Sequence, residues 1–440
     1  MIKTGAGLGL SFSFRLFISM VYLYGRLLFG TIRSKEERRM KRYLIFFTGL
    51  LLILSLAGCG KKVKPQSIED NPAHHYLMGM ELIDQGMPDK AFVRFERAVA
   101  LDDEYAPAIA GKALVYALRA EAESDKKYSA SDAERAVDQF DKAVSEARRD
   151  KSQKFSVYVT GIRVYSHIAS RGWLQRAEDL YHDARLMVKY VIEEDLPYYR
   201  QTEALHYFMG KAYFKGGEFR KSEDILGIVL KASPGKWHDK ANALYSRAQK
   251  ILRAMSNYTL TDVAKKIAVK DRVDRADVAA LLVDELHLDR LFAGRIPVPD
   301  QKKKADFTPA DVVHHMFEPE IMTVLKWNVR GLEPGYDEQT RAYLFYPDKP
   351  MTRKELSFVL EDVLIKLTGD EAMSTRHMGQ SRSLYPDVKA TDAWYNAIVT
   401  VVNRNLMETG LSGAFRPDDN MDGADLILSL MRLRNIMNIY

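Results

Sequence analysis

The 440 residues contain a single cysteine, Cys59, and few groupings of side chains suited to covalent or acid–base chemistry. Asp418-x-Asn420-x-Asp422-Gly423 supplies the first half of a calcium loop, but the twelfth position, where a bidentate acid closes such a loop, is Ser429. His74-His75 and His314-His315 are adjacent pairs; neighbours on a helix diverge, and no cysteine is left to join them in a metal site. Glu193-Glu194 stands at a predicted helix end, where solvation accounts for it. No Gly-x-Ser-x-Gly, phosphate loop or zinc-protease motif occurs, and Gly5-Ala6-Gly7-Leu8-Gly9 follows no strand. The expectation is a protein that is not an enzyme and holds no metal or cofactor, whose chemistry is recognition and covalent attachment.

The attachment reading rests on Leu56-Ala57-Gly58-Cys59, which resembles the lipobox of bacterial lipoproteins. The resemblance implies a lipid on the Cys59 thiol, cleavage before it, and Cys59 as the mature N-terminus. Lys41 and Arg42 form a positive flank, and Tyr43 to Leu56 is an uncharged run, short of the roughly 20 residues a spanning helix needs. Residues 40–58 then read as a signal peptide and 59–73 as a polar tether. Residues 1–39 precede a complete signal peptide and read as a mis-annotated upstream extension, with translation starting at Met40. Gly60 stands where proteobacterial lipoproteins kept at the inner membrane have aspartate, so the expected location is the outer membrane, facing the periplasm.

The leader also carries the basic balance. The chain has 65 Lys and Arg against 59 Asp and Glu, but nine of the former and two of the latter lie in residues 1–58. The mature part keeps 56 against 57, a net charge of −1. A nucleic-acid partner is therefore not expected.

The elements that would position a recognition surface fall into two stretches. From 74 to 256 the pattern is helical throughout. Gly79 with Ala91, Phe95 and Ala98; Ala136, Phe140 and Ala143; Gly161 with Ala177, Tyr181 and Ala184; and Gly210 and Tyr213 with Ser222, Leu226 and Pro234 resemble tetratricopeptide repeats, 34-residue helical hairpins that stack into an α-solenoid. Ala241 to Met255 reads as the cap such a stack needs. The resemblance implies capture of a protein segment without naming it. The stripe Tyr198, Tyr199, Tyr207, Phe208, Tyr213 and Phe214 suits either a peptide groove or the solenoid core; Tyr207 and Tyr213 are the candidates for contact with a protein.

Residues 257–440 have a different pattern. Tyr385-Pro386-Asp387-Val388, Trp394, Ala397-Ile398, Leu406 and Gly413-x-Phe415-Arg416-Pro417 resemble an S-layer homology repeat. The motif opening the second helix of such a repeat occurs three times, as Val273-Asp274-Arg275-Ala276-Asp277, Met351-Thr352-Arg353-Lys354-Glu355 and Met421-Asp422-Gly423-Ala424-Asp425. Asp274, Thr352 and Asp422 are also good helix N-caps. The resemblance implies a trilobed helical bundle whose grooves hold an acidic wall sugar, with Arg275, Thr352, Arg353, Asp387 and Trp394 as the contacts. Paired bonds from Arg275 and Arg353 to a carboxylate are the expected chemistry; Gly423 leaves the third groove without an arginine.

The fold expected is thus mainly α, a solenoid followed by a helical S-layer homology-like bundle. The function expected is a lipid-anchored envelope scaffold binding an unidentified protein and a cell-wall polysaccharide or peptidoglycan. The alternative is a periplasmic assembly factor or chaperone for secretion or outer-membrane clients, with the C-terminal part purely structural.

Overall fold

The computed structural model describes residues 64–148, 150–256, 258–295 and 305–438. The lipobox, Cys59 and Met40 lie outside the described residues. Among these residues the protein is mainly helical, with sixteen α-helices and one two-stranded sheet, and none of the helices is long and apolar enough to cross a membrane.

The first half is four helical hairpins and a further helix. The pairs are α1 (Pro72–Asp84) with α2 (Pro88–Leu101), α3 (Ala106–Ala122) with α4 (Lys126–Glu146), α5 (Lys151–Ile168) with α6 (Trp173–Met187), and α7 (Glu203–Lys215) with α8 (Phe219–Lys231), followed by α9 (His238–Ala254). Side-chain caps start several of them: Asn71 before Pro72, Asp125 and Asp150 each accept from amides of the first turn. The small residues sit where helices touch. A Cβ on Gly79 would come within 2.5 Å of the Phe95 ring, and one on Gly111 of the next hairpin within 2.6 Å of the same ring. Phe95 is thus clamped between two hairpins. Gly161 holds Phe140 in the same way, at 2.4 Å.

The connection between α6 and α7 does not hang outside this stack. Leu196, Tyr198 and Tyr199 are buried. The Tyr198 hydroxyl donates to Asp84 on α1 at 2.8 Å, the Tyr199 hydroxyl pairs with Thr160 on α5 at 2.7 Å, and Trp237 Nε1 donates to the Tyr199 carbonyl at 2.7 Å. The first helices of the hairpins are therefore covered here by the chain's own segment. This corrects the groove reading of the aromatic stripe: Tyr198, Tyr199, Phe208, Tyr213 and Phe214 are buried, and Tyr207 is half-buried against Trp237, with ring centroids 5.3 Å apart and planes 22° from parallel.

The C-terminal half is built around α11 (Arg275–Asp284), α14 (Arg353–Thr368) and α16 (Gly423–Ile436). These are the three helices opened by the repeated motif. The residue before each N-cap joins a closed ring of backbone hydrogen bonds: Val273 donates to Met421 at 2.9 Å, Met421 to Met351 at 2.9 Å, and Met351 to Val273 at 3.0 Å. All three side chains are buried, so the ring is the axis of three lobes. Counting each lobe as a stretch of sequence, the first adds α10 (Asp262–Ala268) and α12 (Leu288–Arg295). The second adds α13 (Glu318–Lys326) and the hairpin β1 (Gly335–Asp337)–β2 (Ala342–Leu344), and the third adds α15 (Tyr395–Asn403). In space the lobes interlock, with α13 packed on α11, α15 on α14 and α10 on α16.

The two halves meet without a spacer. Residues 65–440 form one compact unit, and Phe214, Phe219, Ala248, Ile251 and Ala254 belong to the same apolar core as the three lobes. The contact runs chiefly between α9 and α16.

Candidate docking site of the C-terminal lobes

Each motif helix starts with the same local chemistry. Asp274 and Thr352 form reciprocal capping boxes with Asp277 and Glu355, and Asp422 accepts from the Asp425 amide at 2.8 Å. The acid at the third helical position meets a lysine every time: Asp277 with Lys270 at 2.7 Å, Glu355 with Lys349 at 2.9 Å, and Asp425 with Lys250 at 2.5 Å. The first two lysines come from the segment just before their own helix. The third comes from α9, in the other half of the chain.

The motif arginines face inward, in contrast to the expected fork presented to a ligand. Arg275 is 7% and Arg353 5% exposed. Arg275 Nε donates to the Phe345 carbonyl at 2.9 Å, Nη1 to Gly331 at 2.8 Å and Nη2 to Glu333 at 2.9 Å. Arg353 Nε donates to the Phe415 carbonyl at 2.7 Å and Nη2 to Glu408 at 2.6 Å. Each guanidinium lies 4.7 Å over the ring of its phenylalanine. The physical reason is that an irregular loop has no ladder to satisfy its buried carbonyls, and a planar five-donor group supplies the missing bonds. Burial pushes the pKa of both arginines down from the usual arginine value.

Asp387 works on the same loop from the other side. Its carboxylate accepts from the amides of Phe415 at 2.9 Å and Arg416 at 2.6 Å. Asp311 does the same for Phe345 at 2.9 Å and Tyr346 at 2.6 Å. Tyr346 and Arg416 have φ of 56° and 58°, a left-handed conformation that costs a non-glycine residue energy, and the carboxylate bonds offset it. Phe345-Tyr346-Pro347 is therefore the counterpart of Phe415-Arg416-Pro417. The repeat is concealed in the sequence because the β1–β2 hairpin intervenes.

Thr352 uses its hydroxyl on its own helix, donating to Glu355 at 2.8 Å. Trp394 is half-buried, with the Lys354 ammonium 4.4 Å over its ring and Nε1 without a protein partner. The structure thus gathers Thr352, Arg353, Asp387 and Trp394 around the boundary of the second and third lobes, and places Arg275 at the boundary of the first and second. At the remaining boundary Gly423 has no room for any side chain: a Cβ would lie 1.9 Å from the Ile267 carbonyl oxygen at the end of α10.

Beside Arg353 is a pocket of 140 Å³, walled by Lys250, Arg353, Arg416 and Arg432 against Glu408 and Asp425. Lys250 pairs with Asp425, and Arg432 with Glu408. Arg416 reaches Asp419, outside the pocket, at 3.5 Å. The lining carries two cations more than acids, and the space suits a small anionic group such as a carboxylate. Arg416, Arg432 and Lys250 are the functional candidates that motif reading misses. The first follows the motif phenylalanine; the others bear no sequence signal, since only the packing of α9 and α16 brings them together.

Residues 384–427 match the family model of the S-layer homology domain. The matched stretch is the third lobe, from the turn before Asp387 into α16, and it contains Trp394, the Phe415 loop and Arg416. No curated protein and no solved structure matches the chain. An S-layer homology domain implies anchoring to the cell wall or envelope. The first and second lobes lie outside the match yet share its axial ring, helix caps and, in the second, its arginine-held loop.

Proposed function

We propose that the protein is a non-catalytic scaffold of the cell envelope. The C-terminal lobes hold an anionic group of a cell-wall polysaccharide in the pocket beside Arg353, the helical hairpins act as tetratricopeptide-like repeats that bind a protein, and a lipid on Cys59 fixes the chain to the outer membrane. The observation that carries the docking reading is the cation-rich pocket next to the stretch that matches an S-layer homology domain. Arg416 and Arg432 are its ligand contacts. Arg353 and Asp387 hold the loop beside it, Thr352 caps the helix that carries Arg353, and Arg275 holds the equivalent loop of the second lobe. Half-buried Tyr207 is the residue of the aromatic stripe that a protein partner reaches. An assembly factor gripping clients along the first helices of the hairpins fits less well, because Tyr198 and Tyr199 already fill that face.

The test is co-sedimentation of residues 65–440 with purified sacculi. The wild-type unit pellets, less so at high salt, and Arg416→Glu, half-exposed and outside the core, weakens pelleting about tenfold through like-charge repulsion. If the wild-type unit stays in the supernatant at low salt, the wall reading is wrong.

A further inference from the structure

The second lobe carries an aromatic surface that the pocket does not use. Tyr336 and Tyr343 are directly opposed on β1 and β2, with ring centroids 5.3 Å apart, and Phe307 continues the row 5.4 Å from Tyr343. All three are exposed, at 55%, 52% and 45%, and Tyr346 beside the hairpin is 39% exposed. Large rings in mutual contact yet open to water form a patch of the kind that marks a binding surface. Its support is rigid. Arg275 fixes both flanks of the hairpin by donating to Gly331 and Glu333 before β1 and to Phe345 after β2, and Asp311 holds the two residues after β2. The same arginine and aspartate roles in the third lobe serve the loop beside the cationic pocket. The hairpin is thus built from the loop that corresponds to a pocket wall.

We propose that Phe307, Tyr343 and Tyr336 form a second polysaccharide site, one that stacks the apolar faces of uncharged sugar rings of wall glycan. The inference rests on the wall-docking reading above and adds a ligand class to it. Two observations choose sugar over other occupants. The row is made of flat rings, two of three bearing a hydroxyl, which offer a face to C–H bonds and an edge to sugar hydroxyls. The hairpin itself, residues 333–344, carries Glu333, Asp337 and Glu338 against the single cation Arg341, a negative balance that opposes an anionic polymer or an anionic lipid surface. Charge is read at the pocket, and ring shape at the hairpin.

The experiment measures binding of residues 65–440 to sacculi and to uncharged glycan fragments made of N-acetylglucosamine alone, using three paired variants. Tyr336→Ala with Tyr343→Ala removes the rings. Tyr336→Leu with Tyr343→Leu keeps apolar area without a flat face, and Tyr336→Trp with Tyr343→Trp keeps the face. Stacking predicts that the Ala and Leu pairs both bind fragments about tenfold more weakly, that the Trp pair binds as well as wild type, and that Arg416→Glu leaves fragment binding unchanged. Circular dichroism melts check that the hairpin variants stay folded. If the Leu pair binds like wild type, the surface needs only apolar area and fits a protein partner, which overturns the inference. If the Ala pair binds like wild type while sacculi still pellet the protein, the stacking site is wrong and the wall reading stands. Wild-type protein that binds neither probe removes both.

Discussion

Arg353 and Gly423 occupy equivalent first positions of motif helices, and the two differ because of what stands opposite them. Opposite Arg353 is a loop with open carbonyls; opposite Gly423 is the end of α10, with backbone already in van der Waals range. Arg353→Ala should therefore destabilise the protein by about 2–4 kcal/mol in chemical denaturation, since it leaves two buried carbonyls unpaired, and Arg353→Lys should recover little, because an ammonium cannot reproduce the fork. Gly423→Ala should cost about 2–3 kcal/mol, and Gly423→Arg more, because the clash is with main chain and not with a side chain that can swing away. A Gly423→Ala protein as stable as wild type would mean that α10 shifts freely. At this scale the motif was readable and its direction was not. The Asp and Thr caps follow from residue type alone, whereas the inward turn of Arg275 and Arg353 depends on carbonyls more than fifty residues away.

Single helices are tied by polar contacts that bridge hairpins. Glu121 at the end of α3 pairs with His167 of α5 and Lys215 of α7, each at 2.5 Å. Burial pushes the Glu121 carboxyl up, but the bonds to His167 and Lys215 outweigh it and hold the pKa at about 2. Because the folded value is depressed, the stabilisation is complete above about pH 5 and is lost as pH falls toward the folded pKa. Burial lowers the His167 pKa, so at neutral pH Lys215 is the lasting cation. Thermal melts of Glu121→Gln and wild type should differ above about pH 5 and converge near the folded pKa of Glu121; a gap that does not change with pH would assign the effect to packing. Between the halves, Lys250→Met should destabilise by about 1 kcal/mol by leaving Asp425 without its cation, read as a lower denaturation midpoint. The hairpins themselves were legible, because glycine opposite phenylalanine at fixed spacing is a packing signal: Gly79 with Phe95 and Gly210 with Leu226 are in contact distance. The segment around Tyr198 was not, since loop aromatics carry no period that says which helices they will cover.

Over the whole described molecule, the shared core makes two stretches of different pattern one cooperative body. Residues 65–440 should unfold in urea in a single transition seen alike by tryptophan fluorescence and circular dichroism. A fragment ending at Met255 should expose Phe214, Phe219, Ala248 and Ile251, bind an apolar dye and self-associate; two separate transitions in the longer protein would refute the shared core. The change in composition near Asn257 is real in sequence but marks no gap, because burial across a boundary is set by helix faces and α9 supplies one to each side. The order of contacts also decides how the body carries force. The last lobe lies against α9 through α16, and the first is tied to the same helix by Arg247, which donates to the carbonyls of Val269 at 3.1 Å and Lys270 at 2.9 Å and pairs with Asp271. Under the proposed docking, tension between a glycan beside Arg416 and the hairpins would cross α9 at two places, where Lys250 meets Asp425 and where Arg247 holds residues 269–271. Two polar seams on one helix face therefore share the load before the covalent path through the second lobe is stretched, and α9 is the beam of the assembly.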